Sequence, residues 1–346
     1  VRRAGRLFDR VCDFENLALA ARRAQAGKRY RPDVLRFNVR LEDNLHALRR
    51  ELLKGSWRPS GHRHFKILEP KERWISAAPY RDRVVHHAVC NIVEPVFDRR
   101  FIFDSWANRA GKGSHRAVLR YQEFAGRARY ALKMDVRKYF PSMDHAILKG
   151  QIRRVFKDPR LLAILDVIID EGESPEPAAA YFPGDDLFTP FERGRGLPIG
   201  NLTSQLFANV YLDGFDHWIK EELRVALYLR FVDDFVLLDD SKETLLDLKE
   251  QVRVRLESLR LRLHPRKCVV RRTDEGVPFL GYVVWPDRIR VRGETVRRFR
   301  RRLRAGRTAG GAGAPPAGRP DRRRSLDAWR GHVGLAGSFR TLGGLG

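Results

Sequence analysis

Residues 228–238 read Tyr-Leu-Arg-Phe-Val-Asp-Asp-Phe-Val-Leu-Leu. Two adjacent carboxylates, Asp233 and Asp234, interrupt an apolar, β-prone run. Such a run is suited to a buried pair of strands. Like charges buried side by side are costly unless a cation or a donor compensates them. The stretch therefore predicts a hairpin with both aspartates at its tip, offering oxygen to a divalent metal. Mg²⁺ prefers hard oxygen ligands from one or two carboxylates together with substrate phosphates. Upstream, residues 130–140 read Tyr-Ala-Leu-Lys-Met-Asp-Val-Arg-Lys-Tyr-Phe, with Asp135 ending an alternating strand. Three carboxylates on neighbouring strand ends make a two-metal phosphoryl-transfer site. An isolated Asp-Asp is as readily a pair of turn residues, so the surrounding order of elements has to decide.

Composition narrows the partners. The 346 residues suffice for two or three subdomains around a substantial core. Lysine and arginine number 68 against 43 acidic residues, a formal charge of +25. That excess is far beyond what solubility requires and points to a polyanion. Cys12, Cys90 and Cys268 are odd in number and far apart, which fits a reducing compartment without a disulfide framework. No run approaches the roughly 18 apolar residues of a membrane span. The basic start, Val1-Arg2-Arg3, has no apolar stretch behind it and is not a secretory signal. A cytoplasmic protein with no membrane partner is expected. Because the first residue is Val1 and not Met, the natural start is expected upstream. His86-His87 and His264/Cys268 lack the closed ligand set of a zinc site. Gly111-Lys112-Gly113-Ser114 lacks the residue order of a phosphate loop.

Along the chain, residues 6–55 have helical spacing, with Leu41, Leu45, Leu48 and Leu52 on one stripe. Short β-like pieces follow at 64–68 and 74–75. A helix is expected over about 82–97, stopped near Pro95, and a strand over 128–136. Ser142 is the expected cap of a helix at 143–156. Residues 171–190 are acidic and proline-rich and read as irregular. A long helix is expected over about 203–223, capped by Thr203 or Ser204, with Phe207, Tyr211, Phe215 and Trp218 on its apolar face. After the 227–238 hairpin come a helix at about 241–261 and strands at 267–272 and 277–292. Arginines crowd a helix-like stretch at 297–307, and 306–320 reads as a Gly/Ala/Pro-rich linker. This mixed order is not the regular alternation of a doubly wound sheet. It suits a polymerase palm, an antiparallel sheet backed by helices.

Several ordered blocks carry a family resemblance. They are Pro70-Lys71-Glu72-Arg73-Trp74-Ile75 with Pro79-Tyr80-Arg81-Asp82-Arg83, the 103–115 segment Phe-Asp-Ser-Trp-Ala-Asn-Arg-Ala-Gly-Lys-Gly-Ser-His, Asp135 through Phe140, Phe231-Val232-Asp233-Asp234, Leu263-His264-Pro265-Arg266-Lys267, and Phe279-Leu280-Gly281-Tyr282. In this order and spacing the chain resembles reverse transcriptases over about residues 60–292. The resemblance implies an α+β right-hand polymerase fold. Its parts would be an N-terminal helical segment over 1–60, fingers over 61–127, a palm over 128–292 with a fingers–palm insertion at about 157–195, and a helical thumb over 293–346. It also implies an RNA-directed DNA polymerase that binds an RNA template, an RNA–DNA hybrid and dNTPs.

The block Gly196-Leu197-Pro198-Ile199-Gly200-Asn201-Leu202-Thr203-Ser204-Gln205 replaces the usual Gln-Gly-x-x-x-Ser-Pro, with Ile199 for Gln and Gln205 for Pro. In this it is similar to the reverse transcriptases of diversity-generating retroelements. Those bacterial or phage enzymes copy a template-repeat RNA, misincorporate opposite adenine, and feed the cDNA into a variable target gene by mutagenic retrohoming. They work with a small basic accessory protein that forms a helical barrel. Trp329-Arg330-Gly331-His332 is similar to the thumb end of that group. Two departures stand out. Phe231 replaces the Tyr of the usual box, and the glycine-rich 306–320 is unlike a compact thumb. Competing readings are a group II intron, retron or defence-associated reverse transcriptase, and a catalytically silent RNA-binding scaffold on the same fold.

Roles follow from both arguments. Asp135, Asp233 and Asp234, with the Val136 carbonyl, are expected to hold two Mg²⁺ ions, with Mn²⁺ as an alternative. Lys267 is placed to protonate the pyrophosphate leaving group, with a solvated surface lysine as the competing reading. The resemblance puts Phe140 under the incoming sugar, where it would exclude a 2′-hydroxyl. It assigns Lys66 and Arg73 to the triphosphate, and Gln205 to the nucleotide site. Ile199 and Gly200 would lie by the templating base, where an apolar Ile199 cannot hydrogen-bond the template. Arg297, Arg298 and Arg301 are expected to track the nucleic-acid backbone.

Overall fold

The computed structural model describes residues 3–68, 72–172 and 180–308. Four helices open the chain: α1 (Phe8–Val11), α2 (Phe14–Ala24), α3 (Pro32–Val39) and α4 (Leu41–Leu53). The expected leucine stripe buries Leu45, Leu48 and Leu52. An antiparallel hairpin follows, β1 (Arg63–Ile67) and β2 (Arg73–Ala77), and then α5 (Tyr80–Asp98). Pro95 does not stop α5 but lies inside its last turn. Removal of one backbone donor is tolerated there because Val93 and Phe97 on either side are anchored in the core. The helix α6 (Ser114–Ala125) was not foreseen; it is N-terminated by Gly113 at φ +122°.

The central sheet holds β3 (Tyr130–Asp135), β4 (Tyr228–Phe231), β5 (Asp234–Asp239) and β6 (Val269–Arg272) in the order β4-β5-β3-β6, every pair antiparallel. Alternation assigns its two faces. Leu132, Met134, Tyr228, Phe235 and Leu237 join the large core shared with the N-terminal and palm helices. Ala131, Leu229, Val236 and Leu238 pack with Tyr121 and Phe124 of α6 and with a second small sheet. That sheet is β7 (Val277–Phe279), β8 (Tyr282–Val284) and β9 (Ile289–Val291). The result is a helix-backed antiparallel palm, as the order of elements predicted.

Between β3 and β4 run α7 (Tyr139–Ser142), α8 (His145–Val155), α9 (Pro159–Asp170), α10 (Thr189–Glu192), α11 (Leu202–Tyr211) and α12 (Asp213–His217). Three expectations are corrected here. Ser142 ends α7 and does not cap α8; Asp144 caps it, accepting from Ile147 N at 2.9 Å, as its carboxylate suits a helix N-terminus. Thr203 and Ser204 are buried within α11, whose N-cap position is Asn201; that side chain instead accepts from Ala78 N at 3.2 Å. The expected long helix is broken after Tyr211 and ends in a wider π turn, Trp218–Glu222, while Phe215 and Ile219 stay buried. The helix α9 went unread in the sequence, although its Leu161, Ile164, Leu165 and Ile168 are core residues. Then α13 (Lys242–Ser258) is capped by Ser241, and α14 (Gly293–Thr308) carries the arginine run. The tail at 329–332 and most of the 306–320 linker lie outside the described residues. Among the described residues no helix is long and apolar enough to cross a membrane.

Candidate active site

The aspartates meet through strand register. Asp135 at the end of β3 pairs directly with Asp234 at the start of β5. Both share the face that carries Ala131, Val236 and Leu238 further along, so the apolar face ends in two carboxylates. Val232 and Asp233 form the tip of the β4–β5 hairpin, and Val136 N donates to the Asp233 carbonyl at 3.1 Å. Val232 holds φ +58°, a costly conformation for a β-branched residue and the kind of strain found at functional turns.

Two lysines balance part of the charge. Lys267 Nζ donates to Asp135 Oδ2 at 2.7 Å, across 132 residues of chain. Lys133 Nζ lies 3.4 Å from Asp234 Oδ1 without hydrogen-bond geometry. The Lys267 loop is fastened to the strand end, with His264 N donating to the Asp135 carbonyl at 2.7 Å and Leu263 bridged to Val136. Compensation remains partial. Burial and the neighbouring Asp234 push the Asp233 carboxyl up to about 6. Burial also raises Asp234, against the pull of Lys133. Among the described residues Asp234 Oδ1 is buried and receives no hydrogen bond. Partly compensated, acceptor-only oxygens of this kind fit a hard divalent cation. As they stand, no three acidic, imidazole or thiol side chains among the described residues are gathered into a ready-made cage.

The hairpin rests on a buried ion pair that sequence reading missed. Arg230 and Asp216 are both fully buried, with Arg230 Nη2 donating to Asp216 Oδ2 at 2.6 Å. Tyr228 Oη donates to the same carboxylate at 2.6 Å. Arg230 Nη1 also donates to the Val232 carbonyl at 3.0 Å, holding the strained turn from beneath. The available signal was an arginine at a core-facing position of an otherwise apolar strand.

The other expected residues are placed as follows. Phe140 is half-buried against Tyr139, and its carbonyl accepts from Leu197 N at 2.9 Å. That bond ties the 196–205 block to the segment after Asp135. The Ile199 carbonyl accepts from Ser76 N at 3.0 Å, fastening the block to β2. Gly200 has φ +124°, and a Cβ there would sit 3.1 Å from Ile75 Cγ2, so both conformation and space favour glycine. Gln205 is exposed and lines a cleft of about 210 Å³ with Arg23, Lys28, Arg83 and His87. Lys66 and Arg73 are on the β1–β2 hairpin, where Lys66 pairs with Glu72 at 2.6 Å and covers the Trp74 ring. Arg297, Arg298 and Arg301 are on α14, with Arg298 3.3 Å from Glu294.

Comparison with known proteins agrees with this arrangement. The family described as reverse transcriptase (RNA-dependent DNA polymerase) matches residues 66–284. Protein YkfC of Escherichia coli is 27% identical over 326 residues, covering 81% of this chain and 83% of its own. The group II intron-encoded protein LtrA of Lactococcus lactis is 21% identical over 307 residues, covering 70% of this chain and 49% of its own. The chain thus spans about half of LtrA. The structure of apo telomerase from Candida tropicalis superposes with a TM-score of 0.50 at 12% identity, covering 68% of this chain and 49% of that one, a likeness of fold. A helix-backed antiparallel sheet, three aspartates gathered at one end of it and a family match over residues 66–284 lead to one conclusion: the chain belongs to the reverse transcriptases, the RNA-directed DNA polymerases.

Proposed function

We propose that the chain extends a primer 3′-hydroxyl along an RNA template, with Asp135, Asp233 and Asp234 holding two divalent cations, Mg²⁺ or Mn²⁺. The observation that carries this reading is the Asp135–Asp234 register beside the raised carboxyl of Asp233. Ions bound there would lower the barrier to attack by the hydroxyl and neutralise the triphosphate. The chain's own residues set the geometry. Register fixes two carboxylates, Arg230 fixes the turn bearing the third, and Lys267 holds Asp135 with a proton available to the leaving pyrophosphate. Lys66, Arg73, Phe140 and Gln205 would receive the dNTP. Asp233→Asn should lower Mg²⁺-dependent cDNA synthesis at least about a thousandfold while the fold persists. Undiminished extension on a primed RNA would refute the assignment.

Within the family, the similarity to intron-encoded proteins supports a group II intron-like enzyme. Ile199 and Gln205 support a narrower reading, a retroelement enzyme that makes adenine-mutagenised cDNA from a template-repeat RNA with a basic accessory protein. In that reading Ile199 and Gly200 lie by the templating base, and the loss of a polar side chain narrows the gap between correct and incorrect pairs. A narrowing of about 1.4 kcal/mol is tenfold in error rate. Sequencing cDNA from wild type and Ile199→Gln decides it. Errors concentrated opposite adenine, and reduced in the variant, are expected. Uniform errors across the four template bases would leave the group II intron-like reading.

A further inference from the structure

Residues 180–195 expose apolar rings and contribute to the lining of a basic cleft that also takes in Arg137 and Lys138, just after Asp135 and Val136. Phe188 is 65% exposed and Phe191 71%, with Leu187 and Tyr181 exposed beside them. Next to them a cleft of about 170 Å³ is lined by Phe182 and by six cations: Arg137, Lys138, Arg193, Arg195, Arg260 and Arg262. Among the described residues, two carboxylates with buried side chains pair with Arg193 and Arg260. Asp185 pairs with Arg193, and Asp144 pairs with Arg260 and lies 3.4 Å from Arg193 Nε. The aromatic segment is fastened to the cleft. Arg262 Nη2 donates to the Tyr181 carbonyl at 2.6 Å, and the guanidinium groups of Arg262 and Arg193 stand 5.3 and 5.7 Å from the Phe182 ring. Asp186 is occupied locally, accepting from Phe188 N at 2.9 Å and Thr189 N at 2.7 Å; Glu192 stays exposed.

We propose that this face binds unpaired RNA, with bases stacked on Phe188 and Phe191 and phosphates taken up by the arginine-lined cleft. The proposal rests on the reading of the chain as an RNA-copying enzyme and adds a second RNA contact to it. Exposed aromatic rings interleaved with arginine suit single strands, because a duplex hides the base faces that the rings would cover. Bases stack on such rings without regard to sequence, and arginine forks hold phosphate oxygens. A cleft lined by six cations disfavours a basic partner and favours a polyanion.

The test uses the full chain carrying Asp233→Asn, so that binding is read without extension. Affinity is measured for an unpaired RNA of about 12 nucleotides and for a blunt RNA–DNA hybrid. Phe188→Ala with Phe191→Ala should weaken unpaired RNA about tenfold or more and leave the hybrid within about twofold. Both rings are exposed, so their loss spares the core. In a second arm, Phe188→Trp should be quenched by unpaired RNA and not by heparin, a polyanion without bases. Unpaired RNA bound equally tightly by the double alanine variant overturns the proposal. So does equal quenching by heparin, which would reduce the contact to charge alone. Primer extension with the intact aspartates is scored separately. If extension fails while RNA affinity still depends on the two rings, the polymerase reading falls and the surface stands.

Discussion

Asp233 ties chemistry to stability at the residue scale. Its folded pKa, raised to about 6, lies above that of a solvated carboxylate. The folded state therefore holds the proton more tightly than the unfolded state. Between about pH 4 and 6 the metal-free protein loses stability as pH rises, and the full cost, on the order of 1–3 kcal/mol, is present above that window. Asp233→Asn removes the cost, so its melting temperature should exceed that of wild type at pH 7 and match it near pH 4. Mg²⁺ should raise the wild-type melting temperature at pH 7 and raise that of the variant much less. A melting difference independent of pH and of Mg²⁺ would separate Asp233 from the metal site.

The β4–β5 hairpin depends, as an element, on the Arg230–Asp216 pair that supports it. Breaking a buried pair strands one charge and typically costs about 3–5 kcal/mol, whereas replacing both partners with hydrocarbon is often nearly neutral. Arg230→Met should therefore shift the urea midpoint down strongly. Arg230→Met with Asp216→Leu should recover much of that loss. Activity should not recover, because the bond to the Val232 carbonyl is gone in both variants. Primer extension restored together with stability would show that the pair only stabilises and does not position the turn. Gly200 fixes a second junction. Gly200→Ala places a methyl against Ile75 in a backbone region that L-residues avoid, and should cost on the order of 1–3 kcal/mol by thermal melting.

Charge governs the whole molecule. With a net +25, binding to an RNA–DNA hybrid should release counterions and weaken steeply with salt. Contact with about six phosphates would lower affinity about a thousandfold between 50 and 200 mM salt. If α14 tracks the backbone, Arg297→Ala, Arg298→Ala and Arg301→Ala together should flatten the logarithmic slope by up to about three. An unchanged slope would place the contact elsewhere on the basic surface.

The sequence by itself determined the strand pair around Asp233 and Asp234, the strand ending at Asp135 and the order of blocks, and its charge pointed to a polyanionic partner. These rest on local signals, charges set in apolar alternating runs and overall charge balance. Only the tertiary structure decided which strands are neighbours, since β3 enters between β5 and β6 from far upstream. With that placement came Lys133 and Lys267 as counter-charges, and Asp216 beneath the hairpin. Lys267 is read into the site from its block, but its bond to Asp135, like Lys133 and Asp216, has no local signature, because each contact is made across sheet register or a helix face. Caps and breaks were misread for the same reason. Asn201 and Pro95 follow the packing around them, which outweighs the local preference of a serine, a threonine or a proline.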